Sequence, residues 1–256
     1  MPTVALTLEF DGTNFVGWQI QDNGRSVQEV VQQALTTLYK QEIKIQGCSR
    51  TDSGVHARGL VCSGEVPFII PAEKLPLACN ALLPDDVSVV KAVYVKDDFN
   101  ARFDSLGKRY IYRIYHGPTR RPLIGRYTYY TSYHLDIEAM RKAAAYFAGE
   151  HDFASFCAVG GSQKTTVRRL HSVTICERDN IVEIEVKGEA FLYNMVRIIA
   201  GTLLYVGTGK IKASDIPSII DSCDREKAGK TLPPEGLTLE EVYYNWDEKL
   251  QFDYKD

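Results

Sequence analysis

Apolar residues in this chain recur with two different periods, and the order in which those periods follow one another limits the fold. VALTLEF (residues 4–10) alternates and predicts a strand, with the turn formers of DGTNFVGW behind it. SVQEVVQQALTTLYKQ (26–41) carries apolar residues at 27, 30, 31, 34, 35 and 38, the stripe of an amphipathic helix. Ser26 and Glu29 supply a capping-box signature in front of it. IKIQGCS and RGLVCSGEV predict strands on either side of a turn-rich stretch, PAEKLPLACNALL a helix and VSVVKAVYV a strand. After DDFNARFDSLG the pattern restarts. KRYIYRIYHG predicts a strand, LDIEAMRKAAAYFAG (135–149) a helix with Asp136 as N-cap, and TTVRRLHSVTICERDNIVEIEVKG a hairpin across Arg178, Asp179 and Asn180. AFLYNMVRIIAGTLLYVGTG predicts a largely apolar helix and TLEEVYYNW a last strand. Both halves mix strands and helices without strict alternation, so the expected class is α+β and not a parallel α/β sheet. The expected boundary lies near Asp104–Gly107, giving domains over 1–104 and 105–256, without visible repeats or low-complexity segments.

The chain's 256 residues suffice for a sizeable core, and 45% hydrophobic with 25% charged residues is the composition of a soluble globular protein. MPTVALTLEFDG has no basic region followed by a long apolar run, so no signal peptide is expected, and no apolar stretch is long enough to span a membrane. Six scattered cysteines without a C-x-x-C pair argue against a zinc cluster and a disulfide framework, and fit reduced thiols in a cytoplasm. A net charge of -3 by itself argues against a nucleic-acid partner. Its distribution argues the other way. Residues 100–130 hold seven basic side chains (Arg102, Lys108, Arg109, Arg113, Arg120, Arg121, Arg126) against Asp104 alone, while residues 215–256 hold eleven acids and five bases. An acidic tail can hide a basic working surface from the total, although a solvated basic face would read the same way.

GCSRTDSGVHARG (47–59) holds a single acid, Asp52, between Arg50 and Arg58, with His56 nearby and glycines at 47, 54 and 59. T-D-S-G alone reads as a turn. A guanidinium beside a carboxylate also keeps it ionised and oriented, able to act as nucleophile or base toward an electron-poor carbon. Arg197, inside FLYNMVRIIAGTLLY, needs either a partner or a route to solvent, and Asp52 is a candidate partner. Tyr110 lies in an alternating strand, where a tyrosine is ordinarily a packing residue, but Lys108, Arg109 and Arg113 surround it. Arg168, Arg169 and Lys164 form a second basic cluster. Phosphate-loop, dinucleotide and nucleophile-elbow motifs are missing, and the histidines and cysteines lack metal-ligand spacing. A cofactor-free enzyme or a binding protein is left.

RTDSGVHARG closely resembles the catalytic loop of the tRNA pseudouridine synthase A family. LEFDGTNFVGWQIQ, FNARFDSLGKRYIYRI, LDIEAMRKAAAYFAGEHDFASF, FLYNMVRIIAGTLLYVGTGK and PPEGLTLEEVYY resemble further family blocks in the family's order, over nearly the whole chain. Ser53 stands where alanine is commoner, Leu60 where glutamine is usual and Asn100 where histidine is common; Leu60 and Asn100 bear on RNA contacts and fine substrate choice. The resemblance implies two domains, each with a mainly antiparallel sheet flanked by helices, joined across a basic RNA-binding cleft. It implies isomerisation of uridine to pseudouridine in the anticodon stem-loop of tRNA, with no metal and no organic cofactor, in a homodimer with no membrane role. Asp52, Tyr110 and Arg197 would be catalytic: Asp52 as nucleophile or base, Arg197 paired with it, and Tyr110 stacked on the uracil. Arg50, Arg58, His56, Tyr110, Arg168 and Arg169 would bind substrate, Arg58 assisting base flipping. Two other readings remain open here, a tRNA-folding chaperone without turnover and a nuclease using Asp52 with a metal.

Overall fold

The chain falls into two units, Met1–Leu106 together with the stretch from Leu239, and Gly107–Thr238, in a computed structural model that describes residues 1–161 and 164–251. The first unit contains β1 (Thr3–Phe10), α1 (Val27–Tyr39), β2 (Gln46–Gly47), β3 (His56–Glu65), α2 (Leu75–Asn80) and β4 (Val87–Val95). The second contains β5 (Gly107–His116), α3 (Pro122–Gly125), β6 (Tyr129–Thr131), α4 (Ile137–Ala145), β7 (Gly149–Asp152), β8 (Val167–Arg178), β9 (Ile181–Gly188), α5 (Met195–Gly207) and α6 (Ile216–Asp221). β10 (Leu237–Tyr243) starts at the end of the second unit and continues into the first, followed by α7 (Trp246–Lys249). Helices accompany strand pairings that are antiparallel in all but one of the described ladders, as the α+β expectation requires.

In the first unit the strand order is β4-β1-β3-β10, with β2 added to β3. β1 runs antiparallel to both β3 and β4, pairing Leu6 with Cys62 and with Ala92. Its core holds Leu6, Leu8, Leu35, Leu60 and Leu75, all fully buried. α1 begins where Ser26 caps it, the side chain accepting from Glu29 N, and ends at Lys40 in the left-handed region. The strand expected over IKIQGCS is reduced to Gln46–Gly47. Side chains of α1 satisfy the backbone there instead: Gln28 Nε2 donates to Ile45 O (2.9 Å), Ile45 N donates to Gln32 Oε1 (3.1 Å), and Ile43 N donates to Thr36 Oγ1 (3.1 Å). α2 is shorter than PAEKLPLACNALL suggested, because Pro76 belongs in a first turn, where its missing N–H costs nothing.

In the second unit the order is β5-β9-β8-β7, with β6 parallel to β5. Asp179 and Asn180 join β8 to β9 with φ of 53° and 62°, the two left-handed residues that a tight hairpin needs. α4 has Asp136 as its N-cap but ends at Ala145, not at 149, since Gly149 (φ 114°) opens β7 against β8. Tyr112, Met140, Phe147, Phe153 and Phe156 fill this core.

The sequence expectation extended a second domain from 105 to the C-terminus. The stretch from Leu239 clusters instead with the first unit. Its backbone explains why: Leu106 N donates to Tyr243 O (2.8 Å), Lys96 N to Lys249 O (3.0 Å) and Gln251 N to Tyr94 O (3.1 Å). Tyr244 Oη also donates to Ala101 O. The last residues of the acidic segment, 252–256, lie outside the described residues.

Candidate active site

Arg50, Asp52, His56 and Arg58 lie together in the first unit, on the loop from β2 into the start of β3. Val55 N donates to Asp52 O (3.1 Å), closing a turn with Gly54 at φ 78° in its third position. That is the position of a type II turn that favours glycine. The T-D-S-G motif is therefore a turn, and Asp52 stands at its first corner, half-buried, with Arg50 exposed two residues earlier.

A second loop, residues 11–18, braces this turn from both sides. Trp18 N donates to Thr51 O (3.2 Å), immediately before Asp52. Gly54 N and Ser53 Oγ both donate to Phe15 O (3.2 Å each), immediately after it. The contact is so close that three glycines are needed to make it. A Cβ at Gly12 would overlap Val55 O, one at Gly17 would overlap Thr51 O, and one at Gly47 would overlap the Trp18 ring. Gly17 also has φ 114°, which L side chains rarely adopt.

His56 belongs to the same brace. It is 3% exposed, and its Nδ1 accepts from Gly12 N (3.0 Å) and lies 3.2 Å from Asp11 Oδ1. Its place is behind the loop, not on a solvent-facing surface. Arg58 is exposed, with Nη1 3.6 Å from the buried Glu240 carboxylate. Leu60, whose departure from the family pattern bore on RNA contacts, is fully buried in β3. Asn100 accepts from Arg102 N (2.9 Å) and Phe103 N (3.2 Å) and donates to Gln46 Oε1 (3.0 Å), so it shapes its own turn.

Tyr110 and Arg197 lie in the second unit. Tyr110 is buried in β5 opposite Val186, its ring edge-on to Phe191 with centroids 5.1 Å apart. Arg197 occupies the first turn of α5, where the helix dipole disfavours a cation. Acceptors offset this: its Nε donates to Leu232 O (2.7 Å) and its Nη1 to Asn194 Oδ1 (2.6 Å). Leu232 is held in turn by Leu232 N donating to Arg197 O (3.3 Å). The segment reaching Leu232 lies directly on α5. Gly229 N donates to Thr202 Oγ1 (2.8 Å), and a Cβ at Gly201 would overlap Lys230 O. Beyond it, Tyr112 Oη donates to Pro233 O (2.7 Å); burial pushes this phenol far up, Glu235 adds to the shift, and Arg197 opposes it.

Arg168 turns back on its own loop, donating through Nη1 to Thr165 O (2.9 Å) and Val167 O (2.6 Å). Arg169 is flanked by Glu150 (3.1 Å) and Glu189 (3.8 Å), so its charge is already largely countered. Burial pushes the Cys79 thiol up to about 11, which leaves it almost no thiolate for nucleophilic work. Among the described residues no group of three or more His, Cys, Asp or Glu side chains could hold a metal ion.

A family model described as "tRNA pseudouridine synthase" matches residues 7–104 and 143–245, which takes in both the braced loop and α5. The chain belongs to the tRNA pseudouridine synthase family. Relatives named "tRNA pseudouridine synthase A" agree along its length. That of Ruminiclostridium cellulolyticum is 47% identical over 95% of this chain and 100% of its own. That of Acetivibrio thermocellus is 46% identical over 95% and 100%. Among solved structures, "Structure of H/ACA RNP bound to a substrate RNA containing 2'-deoxyuridine" is a loose likeness, 17% identical with a TM-score of 0.36, covering 79% of this chain and 44% of that one. Within the family assignment, what residue spacing did not disclose is the brace of Gly12, Phe15, Gly17 and Trp18, and the 228–232 segment across α5. The signal was present as paired glycines in DGTNFVGW and a glycine inside an apolar helix, but their partners are distant in sequence.

Proposed function

We propose that this protein converts uridine to pseudouridine in tRNA, within the anticodon stem-loop, using Asp52 as the reacting carboxylate. Family membership across both matched segments carries the reading. The local observation that agrees with it is an acid held in a glycine-tight turn beside an exposed arginine. The reaction detaches uracil from the sugar through its nitrogen, turns it over, and reattaches it through carbon. Detachment leaves the anomeric carbon electron-deficient. A fixed carboxylate can add to that carbon, as in retaining glycosidases, or remove the neighbouring ribose proton. Either way an ionised, immobile oxygen is what the step requires.

Arg197 is assigned the partner role that keeps Asp52 ionised, and its two acceptors suit a guanidinium that must keep one orientation. Tyr110 is assigned to stack on the uracil and to take the last proton from the reattached carbon. Extracting a base from its stack costs a few kcal/mol, and Arg58, exposed just beyond the turn, is assigned to hold the gap. Arg50 is assigned to phosphate, with lesser parts for Arg168 and Arg169, which already have partners within the protein. His56 is assigned to substrate binding only through the turn it supports. We further assign the two units to a basic RNA-binding cleft, the enzyme to a homodimer, and the site of action to the cytoplasm. No helix is long and apolar enough to cross a membrane among the described residues.

The test is tritium release from tRNA labelled at carbon 5 of uracil, with excess chelator and no added cofactor. Release accompanied by pseudouridine in the anticodon arm is the expected result. Tight binding without release from several unmodified tRNAs would favour a tRNA-folding chaperone. Cleavage of the tRNA strand without tritium release, abolished by chelator and restored by magnesium, would favour a metal-dependent nuclease.

A further inference from the structure

Where β6 joins β5, Tyr115 and Tyr130 are direct partners in the parallel register, and their rings stack with centroids 6.1 Å apart and planes 29° apart. Each ring also carries an arginine. The Arg121 guanidinium lies 5.3 Å from the Tyr115 centroid, and that of Arg120 lies 5.8 Å from the Tyr130 centroid. Four side chains thus form one ordered group, Arg121–Tyr115–Tyr130–Arg120. The connecting loop is tied to it. Tyr130 Oη donates to Gly117 O (3.2 Å), and a Cβ at Gly117 would lie 2.5 Å from Tyr115 Oη. Pro118 and Pro122 bracket Thr119, Arg120 and Arg121, fixing φ on both sides of the two arginines.

The charges of Arg120 and Arg121 are not countered as are those on the strand the loop leaves. Arg109 and Arg113 of β5 pair with Glu185 (3.3 Å) and Glu183 (2.7 Å). Residues 117–134 contain three arginines and no acid. Arg120 and Arg121 are exposed, and among the described residues neither guanidinium has a carboxylate partner. A ring engages the flat face of a guanidinium and leaves its N–H edge for other acceptors. Ordering the side chain in advance also lowers the entropy lost when an anion is bound.

We propose that the Arg121–Tyr115–Tyr130–Arg120 group is an RNA-backbone platform, its two guanidinium edges taking phosphates of the tRNA other than those of the reacting nucleotide. The proposal rests on the tRNA reading above. Its occupant is RNA because planar N–H edges on a loop without acids match phosphate geometry, and the loop lacks the carboxylates that would recognise a basic partner.

The experiment measures the Kd of full-length unmodified tRNA across a salt series, with melting temperatures alongside. For Arg120→Gln/Arg121→Gln, affinity at low salt falls roughly tenfold or more and the log–log salt slope shrinks by about 2. Each single Gln variant shrinks the slope by about 1, and Arg120→Lys/Arg121→Lys, which keeps both charges, largely restores it. Wild-type Kd and slope in folded Gln variants would overturn the platform. So would a lowered melting temperature with unchanged affinity per folded molecule, which would make the stack purely structural. Failure of the wild-type protein to bind tRNA at all would instead bring down the functional reading on which the platform rests.

Discussion

Asp52→Asn keeps the side chain's shape and the bond from Val55 N to Asp52 O, but removes the charge on which the proposed chemistry depends. Turnover of that variant is expected to fall by at least about 10²–10⁴-fold, with tRNA affinity within a few-fold of wild type. Tritium release and filter binding on the same preparation test this, and binding lost together with activity would make Asp52 structural. Arg197→Lys probes the partner differently. The guanidinium reaches Leu232 O through Nε and Asn194 Oδ1 through Nη1, and a single ammonium cannot reproduce that fork. Single-turnover rates are expected to drop about 10²-fold while affinity is kept, consistent with misplacement and not loss of charge. A wild-type rate for the Lys variant would show that the fork does not matter. Asp52 stands out in sequence as a candidate because one acid among arginines and turn formers is unusual, and the turn that T-D-S-G suggests is the one the chain forms. His56 was legible as a candidate but not in its role, since only the folded chain sets its Nδ1 against Gly12 N and Asp11.

Elements with regular spacing were the most legible. β4 coincides with VSVVKAVYV, and the β8–β9 hairpin turns at Asp179 and Asn180 as the sequence suggests. Legibility failed where side chains replaced backbone ladders. Ile43 and Ile45 alternate as a strand should, yet Gln28, Gln32 and Thr36, spaced four apart on α1, take their hydrogen bonds. No local period reports that. The same holds for the brace, whose logic lies in loop-to-loop distances. Gly17 makes the strongest test of it. A Cβ there meets Thr51 O, a backbone atom that cannot rotate away, at a φ of 114°. Gly17→Ala is expected to cost about 1–3 kcal/mol of stability, and the displaced Thr51 would carry Asp52 out of register. Urea unfolding would then show a lower midpoint, and turnover at saturating tRNA would fall more than affinity. Equal losses in kcat and affinity would mean that the loop serves binding, and wild-type behaviour in both would remove the brace from the mechanism.

At the scale of the whole molecule, the first unit is assembled from both ends of the chain, so its stability depends on contacts that join residues near 100 to residues near 250. Asp104 is central among them. Its carboxylate accepts from Asn100 N (2.7 Å) and from Lys249 Nζ (2.7 Å). Desolvation pushes its pKa up, but the Asn100 N–H and the Lys249 ammonium outweigh this and leave it below the ordinary aspartate value of 3.8. A carboxylate depressed in the folded state binds a proton less readily there than in the unfolded chain. Its stabilising contribution is therefore complete above the unfolded pKa and is lost as pH falls through the folded one. Asp104→Asn discards that contribution at every pH. The variant should unfold at lower urea than wild type near pH ~7, and the gap should narrow as pH falls through the unfolded aspartate value and close below the depressed folded one. Lys249→Met, which removes the cation but leaves the Asn100 N–H in place, should narrow the gap less steeply. A midpoint difference that stayed constant across the whole range would show that the carboxylate's charge is not what ties the C-terminal stretch to the first unit. The joint would then rest on the backbone bonds from Leu106, Lys96 and Gln251 and on the Tyr244 hydroxyl.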